Sequence, residues 1–225
     1  MIKKLKSFLN RFVKKLFKKK KTIKLGFYGP PNAGKTTLAN KICQDWLGED
    51  MGTVSKIPHE TREIKVKEKI VIKSGDKELE FNLIDTPGIA TKIDYEDFLR
   101  HKISKTQARK RAKEATKGVI ESIRWLDNVD VVIVVLDSTE NPYSQVNLTI
   151  IGNLAARDIP VLIVANKVDL RRSNIKKVES AFPQYKVIGI SAQKGKNIEK
   201  FYKEVFELVK RWYPSNICHI ENIQA

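Results

Sequence analysis

No aspartate or glutamate occurs between Met1 and Gln44, although the same stretch holds thirteen lysines and arginines. Most of the formal net charge of +17 therefore sits in the amino-terminal arm. A basic arm of this kind points to an anionic partner, either a membrane surface or RNA. Cysteine is equally scarce. Cys43 and Cys218 stand far apart, which excludes a disulfide framework and fits a reducing compartment, the cytoplasm. His59, His101 and His219 lack the spacing of metal ligands, so a histidine metal centre is not expected. There is no run of 18 apolar residues, so no segment reads as a bilayer-spanning helix. Lysines interrupt every apolar stretch that could form the core of a secretory signal.

The arm itself has a pattern. Placed on a helix, Ile2, Leu5, Phe8, Leu9, Phe12, Val13, Leu16 and Phe17 fall on one half of the wheel, with most of the lysines opposite. Residues 1–21 are expected to form a basic amphipathic helix lying on an anionic membrane, peripheral to the inner face of the cell membrane. Docking of the apolar stripe on the chain's own folded domain, or RNA binding through the lysines, are the alternatives. Residues 22–213 have the length and patterning of one α/β domain, and 214–225 read as a tail.

Within that domain the patterning predicts strands at 22–28, 129–136, 161–164 and 185–190, with a hairpin formed by 63–73 and 79–84. Helices are expected near 35–47, 105–126, 144–157, 174–181 and 197–212. Valine- and isoleucine-rich strands alternating with helices imply a mixed six-stranded, mostly parallel sheet covered on both faces, with ligands beyond the carboxyl ends of its strands. The helix from Lys105 carries Arg109, Lys110, Arg111, Lys113 and Lys117, interrupted by Glu114 and Glu121, and reads as a solvated face in preference to the alternative, an RNA contact.

Gly29–Thr36 spells Gly-Pro-Pro-Asn-Ala-Gly-Lys-Thr between the first strand and the first helix. A glycine-rich turn in that setting aims backbone N–H groups and a positive helix end at a triphosphate, with Lys35 reaching the β- and γ-phosphates and Thr36 offering a hydroxyl to Mg²⁺. The strand ending at Ile84 runs into Asp85-Thr86-Pro87-Gly88, where a carboxylate holds Mg²⁺ and a glycine N–H approaches the γ-phosphate. A later strand ends in Asn166-Lys167-Val168-Asp169. A carboxylate at Asp169 accepts from two guanine donors that adenine lacks, which disfavours an enzyme using ATP. Asn166 supports the base, and the stem of Lys167 covers it. Ser191-Ala192 follows the last strand as a second base-contact loop, the Ala192 N–H donating to the guanine carbonyl.

This ordered set, with Thr61 between its first two motifs, resembles the translation-factor-related GTPases, and within them the Era-like and tRNA-modification GTPases. The wording of Trp125–Asp137 and Gln145–Asp158 is similar to archaeal Era-like GTPases. The resemblance covers roughly residues 22–213 and implies a Ras-like fold that binds and hydrolyses GTP as a molecular switch, or that only senses it. It also implies a nucleotide site of Asn32, Ala33, Gly34, Lys35, Thr36, Thr37, Asp85, Gly88, Asn166, Lys167, Asp169, Ser191 and Ala192. Mg²⁺ would be held by Thr36, Asp85 and the switch threonine Thr61; Thr53 is a second threonine in that loop. Ras-like enzymes carry a water-orienting glutamine where this chain has Ile89, so slow hydrolysis is expected, or help from an activator protein or a nucleotide-dependent dimer. Asn32 matches the residue that helps ligate K⁺ in potassium-activated relatives, although asparagine also suits a tight loop for its own sake. Lys35, Thr61, Gly88 and Asn32 would be the catalytic set. Era proteins continue into an RNA-binding KH domain. The dozen residues after the last helix hold none, so an RNA or ribosomal partner is less expected than a membrane.

Overall fold

The computed structural model describes residues 22–51, 63–74, 77–89 and 104–219. Outside the described residues lie the amphipathic segment 1–21, Thr53, His59, Thr61, the hairpin tip at 75–76, the stretch 90–103 with His101, and residues 220–225.

The elements run β1 (Ile23–Tyr28), α1 (Lys35–Leu47), β2 (Lys65–Ser74), β3 (Lys77–Asp85), α2 (Lys105–Trp125), β4 (Val131–Asp137), α3 (Gln145–Ala156), β5 (Val161–Asn166), α4 (Ile175–Ala181), β6 (Lys186–Gly189), α5 (Ile198–Trp212) and β7 (Ile217–His219). Six strands lie in the order β2-β3-β1-β4-β5-β6. β1, β3, β4, β5 and β6 are mutually parallel, and β2 alone in this path is antiparallel, as the hairpin requires. This is the expected mixed α/β sheet of Ras-like topology.

β4 shows why the apolar runs are continuous. Val131, Ile133 and Val135 enter one hydrophobic cluster with Leu38 and Ile42 of α1 and Phe201, Val205 and Val209 of α5. Their neighbours Val132, Val134 and Leu136 enter the other, with Ile150 and Leu154 of α3 and Val178 of α4. A strand buried on both faces cannot alternate with polar residues. Truncating one of these side chains, for example the fully buried Leu38, to alanine costs about 2–5 kcal/mol.

Two features depart from the expected pattern. The alternation of Ile64, Val66, Ile70 and Ile72 implies one face throughout, yet Ile64 packs with the α3 cluster while Ile70 and Ile72 pack with the α1 cluster. A register shift between Lys67 and Ile70 adds one residue to β2, with Lys69 at φ 55°. One extra residue in a period of two sends the rest of the strand to the opposite face. In addition, the segment taken as a tail contributes β7, which pairs antiparallel with β3 through Lys77–Leu79. β1 reaches β3 only from Phe81 onward, so β7 completes that side of β3 and makes the sheet seven-stranded. Three residues are too few to show a strand period.

Candidate nucleotide site

The predicted site residues that the structure describes gather at the carboxyl ends of β1, β3 and β5 and on the loop after β6; Thr61 is outside the described residues. The connection from β1 to α1 ends on Gly34, a left-handed N-cap at φ 95° that offers no side-chain cap, and the first turn of α1 has no acidic residue. Its leading N–H groups, through Thr36 and Thr37, are therefore open to an anion. Glycine is required at position 34 twice over. The φ is unfavourable for other residues, and an added Cβ would lie 2.2 Å from the Asn166 side-chain nitrogen. The loop is wound around Lys35, whose buried ammonium donates to the carbonyls of Gly29 (3.1 Å) and Pro30 (2.9 Å). One of its three N–H donors remains for a phosphate oxygen. Burial pushes the Lys35 ammonium down to about 8, and the nearby Asp85 carboxylate only partly offsets this. Asn32 is exposed at φ 58°, a conformation that asparagine tolerates better than most residues.

Asp85 closes β3 beside this loop and is fully buried. One carboxylate oxygen accepts from the Thr36 hydroxyl at 2.7 Å, while the other, Oδ1, has no hydrogen-bond partner among the described residues. A buried, unpartnered carboxylate oxygen is costly. Lying next to a hydroxyl at an open helix end, it has the hard oxygen donors that Mg²⁺ requires. Burial raises the Asp85 carboxyl above its usual range, against the Thr36 hydrogen bond and the charges of Lys35 and Lys65. The following turn is pinned at several points. Thr86 Oγ1 donates to the Phe27 carbonyl at 2.6 Å, Ile89 N–H to Gly29 at 3.1 Å, and Ser122 of α2 to the Pro87 carbonyl at 3.3 Å. At Gly88 an added Cβ would sit 2.7 Å from the Cα of Pro31, so the two turns touch backbone to backbone. Ile89 is buried in the α3 cluster, which leaves it no role in orienting water.

On the β5 side, Asn166 is a brace between loops. Its Nδ2 donates to the Ala33 carbonyl at 2.9 Å and its Oδ1 accepts from the Ala192 N–H at 3.0 Å. The Ala192 N–H assigned to a base carbonyl from sequence is thus engaged by Asn166. Lys167, at φ 66°, places its ammonium 2.5 Å from Asp137 Oδ2. The other Asp137 oxygen accepts from the N–H and hydroxyl of Thr139 at 2.9 and 2.7 Å. Burial alone would raise the Asp137 carboxyl, but these contacts hold it below its usual range. Asp137 and Thr139 were missed in the sequence, although a carboxylate ending the strand beside β5 was the available signal. Asp169 is exposed, and the Ser191 hydroxyl donates to it and keeps its carboxyl below the usual range. It stands ionised as an acceptor at the open end of the sheet.

A family profile described as 50S ribosome-binding GTPase matches residues 24–167. The chain is 31% identical over 193 residues to the GTPase Der of Marinomonas sp., an alignment covering 81% of this chain and 37% of that protein. It is 29% identical over 186 residues to the tRNA modification GTPase MnmE of Chlorobium chlorochromatii, covering 80% of this chain and 34% of the relative. The chain thus spans little more than a third of the length of either. Among solved structures, Era in complex with MgGDPNP and a segment of 16S ribosomal RNA superposes with a TM-score of 0.62 at 22% identity, over 83% of this chain and 56% of that one. This likeness supports the fold.

Proposed function

The chain belongs to the 50S ribosome-binding GTPase family, and from that premise we propose that it binds GTP with Mg²⁺ and hydrolyses it to GDP and phosphate as a slow molecular switch. The observation that carries this reading is Asp85, a buried carboxylate with one oxygen on Thr36 and the other unpartnered among the described residues, at the uncapped start of α1. The amides of α1 and Lys35 bind the β- and γ-phosphates and stabilise charge that develops during in-line attack by water. Thr36, Asp85 and Thr61 would hold Mg²⁺, which would neutralise phosphate charge when bound. The Gly88 N–H reports the γ-phosphate, and its loss releases the loops around Thr61 and Gly88. Asp169 selects guanine, with Lys167 held over the base by Asp137.

Turnover is slow because Ile89 is committed to the core and cannot orient water. Asn32 is exposed and makes no hydrogen bond among the described residues, so its side-chain oxygen is available to K⁺ beside the phosphates, and turnover is faster in KCl than in NaCl. The protein acts in the cytoplasm, peripheral to the membrane through the basic amphipathic segment 1–21. Co-sedimentation of the full chain with anionic liposomes tests that attachment.

A second reading is a GTP-sensing module that acts on RNA or ribosomal particles with negligible turnover, favoured by the ribosomal RNA bound to the related Era structure. Single-turnover assays with purified protein and Mg²⁺ separate the two. Phosphate release that disappears in Lys35→Ala supports the enzyme; tight GTP binding without release supports the sensor.

A further inference from the structure

We propose that the outward face of α2 is a docking surface for the phosphate backbone of RNA, an inference that does not depend on whether the protein turns GTP over. In the sequence this helix reads as a solvated face because Glu114 and Glu121 interrupt its lysines. The structure arranges these charges differently. Ala108, Ala115, Gly118 and Ser122 are buried and set the inward face. At 100° per residue, Lys110, Lys113, Lys117 and Arg124 then fall within about 60° of one another on the opposite side, and all four are exposed. None of the four forms an ion pair among the described residues. Glu121 and Glu114 border one side of the ridge, about 20° and 40° beyond Lys110, are partly buried, and Glu114 has an interaction of its own. The four cations form a ridge about 21 Å long at 1.5 Å per residue.

The chemistry of the ridge selects the partner. A helix that lies in a membrane interface needs an apolar face to insert, but the small apolar residues of α2 are spent on the core. The one large apolar side chain beside the ridge is Ile120, half exposed. A protein partner would be anchored by a central aromatic or aliphatic cluster, which the ridge also lacks. Cations aligned along one side of a helix without such an anchor suit a polyanion, the phosphate backbone of RNA, to which binding is driven by release of counterions.

The test measures fluorescence anisotropy of a labelled single-stranded oligouridylate against the full chain and its Lys113→Gln/Lys117→Gln variant across a salt series. Segment 1–21 is the same in both proteins, so the difference reports α2 alone. The expected result is a loss of about tenfold in affinity, with the slope of log affinity against log salt smaller by about 1.4, or ~0.7 for each phosphate contact removed. Circular dichroism and GTP affinity should be unchanged. If this variant misfolds, Lys110→Gln/Arg124→Gln serves with the same expectation. Unaltered affinity and slope would overturn the proposal. So would a variant that keeps RNA affinity but loses binding to phosphatidylserine vesicles, which would assign the ridge to a membrane.

Discussion

Replacing Asn166 with alanine removes two hydrogen bonds at once and strands both partners. The Ala33 carbonyl and the Ala192 N–H belong to residues 1% and 4% exposed, and Asn166 itself is 3% exposed, so water has little access to either group. Each buried group left without a partner costs about 1–3 kcal/mol, which puts Asn166→Ala at about 2–6 kcal/mol of lost stability. That is a large share of the ~5–15 kcal/mol that holds a typical domain folded. The same geometry predicts how this change combines with Gly34→Ala. An alanine Cβ at position 34 would meet Asn166 Nδ2 at 2.2 Å, so Gly34→Ala alone pays about 1–2 kcal/mol for the left-handed backbone and also displaces the amide. Once Asn166 is alanine, only the backbone cost remains, and the double variant should be less destabilised than the sum by about 2 kcal/mol or more. Urea unfolding of the nucleotide-free protein, followed by tryptophan fluorescence with an unchanged m value, measures all four corners of this cycle. An Asn166→Ala variant within ~0.5 kcal/mol of the parent, or strictly additive effects, would refute the brace and leave Asn166 as a contact to the base alone.

Other expectations follow from neighbouring groups. Asp85→Asn removes a buried charge whose carboxyl is already raised by desolvation, so unfolding free energy at neutral pH should hold or rise; the dependence of GTP affinity on Mg²⁺, read by titration with and without EDTA, should disappear. Asp137→Ala frees the Lys167 ammonium and should speed GDP release about tenfold, roughly the 1.4 kcal/mol expected of one partly buried charged contact, as seen with a fluorescent GDP analogue. The Lys35 ammonium is lowered to about 8 from 10.5 in the folded protein, so the unfolded chain binds the proton more tightly and stability should rise with pH between these values. Chemical unfolding of the nucleotide-free protein at a series of pH values should show that rise, and Lys35→Met should flatten it.

The sheet and its crossover helices were legible because each depends on a local signal: continuous β-branched runs for β4 and β5, three- and four-residue spacing for the helices, and a glycine-rich turn between β1 and α1. The gathering of the Gly29–Thr36 loop, Asp85 and Asp169 at one end of the sheet was legible for the same reason, since each segment follows a predicted strand. What escaped depends on contacts between distant segments. β7 is defined by pairing with β3, and the bulge at Lys69 moves Ile70 and Ile72 to the other face without changing their spacing in the sequence. The brace from Asn166 to Ala33 spans 133 positions, and Asp137 acquires its role only when β4 lies beside β5. On α2, the exposure of Lys110, Lys113, Lys117 and Arg124 and their freedom from ion pairs among the described residues were legible only in the structure.

A guanine nucleotide site built on Asp169 can be tested by calorimetric titration of the purified chain with GTP and with ATP, each with Mg²⁺. Two hydrogen bonds to an ionised carboxylate at about 1.5–3 kcal/mol each predict GTP binding tighter than ATP by a factor of about 10² to 10⁴, falling to near parity in Asp169→Ala. Equal affinities in the parent protein, or tighter binding of ATP, would exclude Asp169 as a guanine-selecting residue.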